Sequence, residues 1–399
     1  MRLSTLRLAV LAVTLLPASA LAQAIIYVDA DAIGAEDGSS WANAFEELDE
    51  ALEAATAPAQ IWVAEGIYVP TDDPDRTESF RLKSGVAVLG GFNGTETSAD
   101  QRTPDPDEGG TVLSGDIGVE GDDSDNSYHV VSAIGVDETA VLDGFLVTGG
   151  NADGTVPNDR GGGLTNSDLG TSNGYPTLRN VSFAENTALF GGGAYLLVAP
   201  RAITMEDVEF KENHALFQGG GLFSGAAINA SGIEFEENVA NQRGGGAYIS
   251  PFNGLPSVFR DVEFDSNVAG SLDNPGEPGR GAGFYTQNDP TLTIIDAEFE
   301  RNRSIGNFGD GAGFLVQGGT VNVVNAVFNG NTARAGAAFM TRNVGGAGAT
   351  LTVTNVVVAG NQGAEETWGV IDLNDGTETT LAQLTMSGND GFAALRVGG

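Results

Sequence analysis

Apolar and polar positions repeat along the chain in one pattern, and each of the eight copies ends in an asparagine. Counted back from that asparagine, apolar residues stand 10, 8, 5 and 3 positions earlier in most copies. Positions two apart place their side chains on the same face of a strand, so each copy predicts two short strands. The eight asparagines are Asn186, Asn213, Asn238, Asn267, Asn302, Asn331, Asn361 and Asn389.

A gap of three positions separates the two apolar pairs of each copy, so the chain must bend there to keep both pairs on one face. The residue six positions before each asparagine is Asn, Asp, Gly or Gln. Asn, Asp and Gly tolerate a left-handed backbone, so we predict a strand, a bend, a second strand and a second bend in each copy. The bend residues are Asn180, Asp207, Gly232, Asp261, Asp296, Asn325, Asn355 and Gln383.

Runs of small residues between the copies, such as Gly244-Gly245-Gly246 and Gly311-Ala312-Gly313, each open a third short strand. Three strands in a repeat of 25 to 35 residues predict one coil of a right-handed parallel β-helix. Leucine-rich repeats, helical repeats and propeller blades fit the pattern less well. We therefore predict an all-β, single-domain right-handed parallel β-helix with three-strand coils.

Two motifs carry a resemblance to known proteins. Six copies contain F-x-x-N, from Phe183 to Asn186 through Phe328 to Asn331, and Gly-Gly-Gly or Gly-Ala-Gly follows most of them. This pairing resembles the repeat of chlamydial polymorphic outer-membrane proteins and, more broadly, secreted bacterial β-helix proteins of pectate-lyase-like fold. The resemblance covers roughly residues 140–399 and implies the architecture. It implies no particular chemistry, because that fold carries lyases, hydrolases, adhesins and passenger domains.

The N-terminal sixty residues divide into two segments. Residues 1–22 are predicted to be a signal peptide, with Arg2 and Arg7 before an apolar run that is too short to span a membrane. Residues 23–60 are predicted to form a first strand and an amphipathic helix that caps the open end of the stacked coils. The apolar stripe of this helix is Trp41, Phe45, Leu48, Leu52 and Ala55, with Ser40 as its N-cap.

Residues 61–399 are predicted to be the β-helix, with regular repeats from about residue 140. Its last copy ends at Asn389 and only ten residues follow. We expect a C-terminal cap or surface anchor to be missing from this sequence, and a monomer where the full chain has such a cap. Because no later stretch is long and apolar, we expect a secreted or extracellular protein, or one on the bacterial outer surface.

Charge narrows the range of partners. Acidic residues number 54 against 18 basic residues, and the formal net charge is −36. Nucleic acid is therefore excluded as a partner, since it requires a basic surface. The chain has no cysteine and hence no disulfides. An acidic surface poor in lysine suggests either a saline habitat or bound cations.

One column of acidic residues stands four positions before the asparagines, at Glu209, Glu234, Glu263 and Glu298. Neighbouring coils are about 4.8 Å apart, so like charges in register repel by roughly 1 kcal/mol per pair in water. We consider Ca²⁺ held by Glu234, Glu263 and Glu298 as one explanation. A solvated acidic face that keeps the protein soluble is the other.

A second column stands directly before the glycine runs and contains Arg243, Arg280, Asp310 and Arg334. Arginine recognises the carboxylate of uronic sugars and the sulfate of sulfated glycans, so Arg334 is a candidate ligand-binding residue. Arg243, Arg280 and Asp310 are the candidate catalytic residues if the protein is an enzyme. A structural ladder of ion pairs is the alternative interpretation.

Aromatic residues form a third column two positions after the glycines and include Tyr195, Tyr248 and Tyr285. Strict alternation places these rings outside the coil, where sugars could stack on them. Packing inside the core is the alternative. The asparagine column itself is predicted to be structural, because stacked amides satisfy one another from coil to coil.

Taken together, these residues favour a non-catalytic, exported β-helix that binds a polysaccharide or cell-surface glycan, or mediates adhesion. The alternative is a polysaccharide lyase or glycoside hydrolase of pectate-lyase-like fold that acts on acidic polysaccharide. The sequence shows no ordered set of calcium ligands beside a basic residue, and no nucleophile and base signature. Whether the protein is an enzyme therefore stays open at this level.

Overall fold

Strands dominate the computed structural model, which describes residues 23–170, 173–271, 278–288, 290–306, 309–343, 348–363, 369–374, 376–391 and 393–398. Within these residues the strands pair in parallel and form three sheets of 14, 11 and 8 strands, here called sheets A, B and C. Neighbouring strands of each sheet come from successive coils. This confirms the predicted right-handed parallel β-helix. The predicted signal peptide lies outside the described residues.

Sheet A carries both apolar pairs of each repeat on one long, bent strand. Every predicted bend residue has a positive φ, from 45° at Asn180 to 63° at Gly232, which confirms the bends. The strands are Ala24–Val28, Ala59–Ala64, Gly66–Tyr68, Val86–Phe92, Thr111–Ser114, Val141–Thr148, Thr177–Ala184, Ile203–Lys211, Ile228–Glu236, Ser257–Asp265, Thr291–Glu300, Gly319–Asn329, Ala349–Ala359 and Glu378–Ser387.

Sheets C and B complete the coil after each asparagine. Sheet C contains Asn151–Ala152, Thr187–Phe190, His214–Gln218, Val239–Ala240, Val268–Ala269, Arg303–Ser304, Thr332–Ala333 and Gln362–Gly363. The glycine run follows, and then comes a strand of sheet B: Phe80–Arg81, Val131–Ser132, Leu164–Thr165, Ala194–Leu196, Leu222–Ser224, Ala247–Ile249, Phe284–Gln287, Phe314–Gln317, Phe339–Arg342, Gly369–Leu373 or Ala393–Val397.

The interior of the coils is filled by columns of identical or similar apolar side chains. Six phenylalanines, each three positions before its asparagine, stack with ring centroids 4.6 to 5.3 Å apart. All six are no more than 1% exposed. Burying a side chain of this size stabilises the fold by about 1.5–3 kcal/mol, so the column ties the coils together.

A second buried column consists of the asparagines at the end of each sheet A strand. Each amide nitrogen donates to the side-chain oxygen of the next asparagine, over 2.9 to 3.2 Å. The same oxygen also accepts from the backbone amide of the preceding asparagine. This arrangement agrees with the structural role predicted for the column.

The N-terminal cap is shorter than the predicted helix. A 3₁₀ turn at Trp41–Asn43 is followed by helix α1 at Leu48–Ala54, and Leu48 and Leu52 are buried against the core of the first coils. Trp41 instead packs outside that core against Trp62 and Phe92, so it does not share one stripe with Leu48. Ser40 precedes the 3₁₀ turn and makes no capping hydrogen bond through its side chain.

Two further helical turns are a 3₁₀ turn at Ala99–Gln101 and the one-turn helix α2 at Pro106–Gly109. Helix α2 packs against sheet A near the strand Val141–Thr148. Among the described residues, no helix has the length and apolar character needed to cross a bilayer.

The asparagine column predicts a large cost for truncating one of its members. Asn267 donates to the buried carbonyl oxygen of Phe235 over 2.8 Å and accepts from the backbone amide of Asn238 over 3.1 Å. Asn267→Ala leaves both groups without a partner. Because each buried unsatisfied group costs about 1–3 kcal/mol, we expect the free energy of unfolding to fall by about 3 kcal/mol. Urea denaturation followed by circular dichroism measures this loss.

Asn329→Ala is the matched control, since Asn329 is an exposed asparagine two positions before Asn331, two coils further along the stack. We expect this exposed substitution to cost less than about 1 kcal/mol. Equal losses of unfolding free energy in the two variants would show that an asparagine of the buried column stabilises the fold no more than a surface asparagine does.

Candidate functional site

A long groove runs along the outer side of sheet A, where the strands bend. Two adjoining sections have cavity volumes of about 430 and 480 Å³, and both are lined by Gly232, Glu234 and Asp261. The sections therefore form one surface, here called the acidic groove. The remaining charged residues that line it are Asp105, Asp107, Asp207, Glu209, Glu263, Asp296 and Glu298.

Register explains why these carboxylates come together. Glu209 pairs with Glu234, Glu234 with Glu263, and Glu263 with Glu298 in successive coils. The bend residues form a second row beside them, because each left-handed turn makes the outer face of sheet A concave. Helix α2 supplies one wall through Asp107 and its N-cap residue Asp105.

Electrostatic repulsion within the groove contributes to a raised pKa at two of its carboxyl groups. Burial raises the pKa of Glu234, and the negative charges of Glu209 and Glu236 raise it further. Burial likewise raises the pKa of Glu263, with further contributions from Glu234 and Glu298. These groups therefore hold protons more tightly in the folded chain than in the unfolded chain.

A calcium ion needs six to eight oxygen ligands at about 2.3–2.6 Å. In the described part of the chain, no three His, Asp or Glu side chains are grouped so that they could hold a metal ion. Glu234, Glu263 and Glu298 instead follow one another along the stack, one in each coil. Binding of Ca²⁺ by these three residues stays a prediction.

The predicted column before the glycines also forms, with one shift. Parallel β-bridges join the backbones of Arg243, Arg280 and Asp310 in successive coils. In the next coil the residue bridged to Asp310 is Ala335. The prediction that Arg334 shares this register is wrong by one residue. The corner needs a residue with positive φ, which is Gly336 at 60°, so the glycine run of this coil begins one residue later than expected.

Arg334 nevertheless reaches the column with its side chain. Its Nη2 donates to Oδ1 of Asp310 over 2.7 Å, and Nη1 of Arg342 lies 3.4 Å from Oδ2. Burial raises the pKa of the Asp310 carboxyl, and the two guanidinium groups oppose that change. These three residues form an ion-paired cluster in which the carboxylate is 3% exposed.

The three tyrosines lie outside the coil interior, as alternation predicts, but they are not exposed. Tyr195, Tyr248 and Tyr285 are 5%, 2% and 0% exposed. They stack in a column with Phe223, with centroids 4.8 to 5.3 Å apart. Residues across the glycine corner cover them, including Arg243, whose guanidinium lies 5.6 Å from the Tyr285 ring centroid. In this structure the three tyrosine rings have no free face on which a sugar could stack, as one of the two interpretations of the sequence required.

The sequence patterns missed several residues that shape these surfaces. Arg342 is the last residue of its strand in sheet B, so it does not belong to the predicted column directly before the glycine runs. Helix α2 belongs to an early coil that does not follow the repeat pattern. Its position beside the groove could therefore not be predicted from the repeats. Phe190 and Phe217 stack at 5.4 Å beside a register shift in sheet C, and Phe217 is 38% exposed.

No family model and no curated protein matches the chain. Its structure is similar to that of the pectate lyase Pel9A, at 15% identity over 91% of this chain and 78% of the lyase, with a TM-score of 0.47. It is also similar to the A-module of the Azotobacter vinelandii mannuronan C-5 epimerase AlgE4, at 16% identity over 93% and 97% of the chains, with a TM-score of 0.43.

A third similar structure is the family 28 exopolygalacturonase of Yersinia enterocolitica. It shares 11% identity over 92% of this chain and 78% of that chain, with a TM-score of 0.30. The resemblance of the sequence motifs to polymorphic outer-membrane protein repeats stays a prediction.

The raised pKa of Glu263 predicts how stability depends on pH. The folded chain binds more protons than the unfolded chain, so stability falls as pH rises from the ordinary value of 4.5 through the higher folded pKa. Glu263→Gln removes this penalty. We expect the variant to be more stable than the wild type by about 1 kcal/mol at neutral pH and low salt. Urea denaturation at several pH values measures the difference.

Two features distinguish repulsion from a general effect of the substitution. The difference should vanish below about pH 4, where both states are protonated, and should shrink at about 1 M salt. Glu46→Gln, at an exposed position near the N-terminus, is the control and should change stability little. A Glu263→Gln variant that is equally destabilised at every pH would rule out the repulsion.

Proposed function

We propose that the chain is an exported, non-catalytic β-helix protein that binds a neutral glycan along the acidic groove. The observation that carries this proposal is the continuity of the groove across successive coils. A linear polymer can lie along such a surface and present a similar chemical unit to each coil. The N-terminal segment, with its arginines and apolar run, supports export to the extracellular space or outer surface.

The lining of the groove suits sugar hydroxyl groups. Carboxylates accept hydrogen bonds, and the groove offers Asp207, Asp261 and Asp296 at the bends beside the glutamate column. Hydrogen bonds to charged acceptors are about twice as strong as those between neutral groups. A neutral glycan gains these bonds without the repulsion that an acidic polysaccharide would meet.

The residues that line the groove argue against a lyase that acts there. Removal of a proton from an acidic sugar requires a positioned base and a cation that offsets the substrate charge. The residues that line the two groove sections include no Lys, Arg or His. The arginines of the ion-paired cluster lie elsewhere, at the corner between sheets C and B.

Substitution of a bend carboxylate tests the binding proposal. Asp261→Asn retains a residue that tolerates the observed φ of 54° while it removes the charged acceptor. We expect affinity for neutral polysaccharide to fall about tenfold, since hydrogen bonds to charged groups contribute about 1.5–3 kcal/mol. Retention in affinity gel electrophoresis against galactan, xylan and glucan measures this change.

Glu46→Gln serves again as the control, because it changes the net charge by the same amount outside the groove. Binding should be unchanged in this variant. If no neutral polysaccharide retards the wild type, or if both variants lose affinity equally, the groove is not a glycan-binding surface.

Cations are proposed to act as counterions of the groove without a dedicated coordination shell. Addition of Ca²⁺ at constant ionic strength is expected to raise the melting temperature, because divalent ions relieve repulsion between neighbouring carboxylates. Mg²⁺ should act to a similar extent, and both increments should be smaller in Glu263→Gln. Stabilisation by Ca²⁺ alone would show that a specific calcium site exists.

A glycoside hydrolase is the second candidate, favoured by the raised pKa of Glu234 and Glu263 beside other carboxylates. A protonated acid next to an ionised carboxylate is the arrangement that such enzymes use. Incubation with neutral polysaccharides, followed by reducing-end detection, tests this function. Release of reducing ends that Glu234→Gln or Glu263→Gln abolishes would replace the non-catalytic proposal.

A further inference from the structure

The glycine corner between sheets C and B holds a concentration of positive charge on a strongly acidic protein. Three parallel columns form this surface, here called the arginine corner. Arg243, Arg280 and Asp310 form one side, Tyr248 and Tyr285 form the buried floor, and Gln287, Gln317 and Arg342 form the other side in register. The acidic groove lies on sheet A, so the two surfaces belong to different parts of each coil.

The charges in the arginine corner are not balanced. Asp310 is already engaged by Arg334 at 2.7 Å and by Arg342 at 3.4 Å. Across the described ranges, neither Arg243 nor Arg280 has a carboxylate within ion-pair distance. Arg243 and Arg280 therefore add positive charge beside this ion-paired cluster, in a chain that has only 18 basic residues in total.

Arg280 carries the clearest sign of an absent partner. Its Nε is buried and makes no hydrogen bond to any described residue. Burial lowers the pKa of its guanidinium, and the like charges of Arg342 and Arg243 lower it further. A buried donor without an acceptor costs about 1–3 kcal/mol, so a guanidinium that turned toward an incoming acceptor would recover this energy.

An oxyanion is the chemical group that satisfies these features. Two neighbouring guanidinium groups can donate parallel hydrogen bonds to a carboxylate or sulfate. Tyr285 donates its hydroxyl to Oε1 of Gln317 over 2.6 Å, which fixes the carboxamide of Gln317 beside the arginines. The amides of Gln317 and Gln287 can both donate and accept, as sugar hydroxyl groups require.

We propose that the arginine corner binds the carboxylate or sulfate group of an acidic saccharide, with Arg280 and Arg243 as the residues that contact the oxyanion. Gln287 and Gln317 contact hydroxyl groups of the same sugar. Asp310 holds Arg334 and Arg342 in position and limits how much negative charge the corner accepts. The site is independent of the acidic groove and does not rest on the function proposed for it.

Calorimetric titration of the full chain at low salt with glucuronic acid, galactose 6-sulfate and galactose tests this proposal. We expect at least one of the two acids to bind and galactose not to bind at this surface. Arg280→Gln is expected to weaken the binding of the acid at least about tenfold, because two charge-assisted hydrogen bonds are lost. Arg280→Lys keeps the charge but loses the planar fork, so it should recover only part of the affinity.

Arg179→Gln is the matched control, since Arg179 is ion-paired with Glu206 on sheet A at 2.7 Å and lies away from the corner. This variant should bind the acid normally. If Arg280→Gln does not fold, as judged by circular dichroism, Arg243→Gln provides the same test, because Arg243 lies at the edge of the corner over Tyr285.

The outcomes separate the possibilities. The acid that binds more tightly identifies the oxyanion as carboxylate or sulfate. Binding of inorganic sulfate alone would overturn the saccharide assignment. No binding of either acid, or equal losses in Arg280→Gln and Arg179→Gln, would overturn the site. Asp261→Asn should leave acid binding intact, so failure here and failure of the groove proposal are distinguishable.

Discussion

The buried asparagine column is the constraint on which the rest of the structure depends. Each side chain bonds to the next asparagine and to a backbone carbonyl of the preceding coil, so a coil that slipped by one residue would leave several polar groups buried without partners. The stacked phenylalanines fix the same register through packing. With the interior held in this way, outward residues at equivalent positions must lie directly above one another, whatever their charge.

The acidic groove follows from that constraint. The backbones of Glu234 and Glu263 cannot move apart, because the strands that carry them are held by the core on their inner side. The repulsion between them, roughly 1 kcal/mol per pair, is small against the burial of several apolar side chains in each coil. A repeat protein can therefore keep an unfavourable surface column when that surface serves binding, since the cost is distributed over many coils.

The repeat pattern predicted the coil, the bends and the asparagine column, because each is determined by spacing within one repeat. Exposure was predicted less well. Tyr285 stands outside the coil as alternation requires, yet the residues across the glycine corner bury it, and that depends on how two sheets meet. Arg334 was placed one residue out of register because Ala335 resembles the first residue of a glycine run. Only the positive φ at Gly336 identifies the true corner.

The two proposed binding surfaces lie where the coil changes direction. On a flat sheet face, outward side chains are solvated and charges are screened, so they contribute little to recognition. At the bend of sheet A and at the glycine corner, rows of side chains from successive coils lie side by side. The bend gathers carboxylates with raised pKa, while the corner gathers arginines, one with a buried donor that has no acceptor among the described residues. The two surfaces therefore differ in the sign of their charge and, by the same electrostatic reasoning, in the ligands they favour.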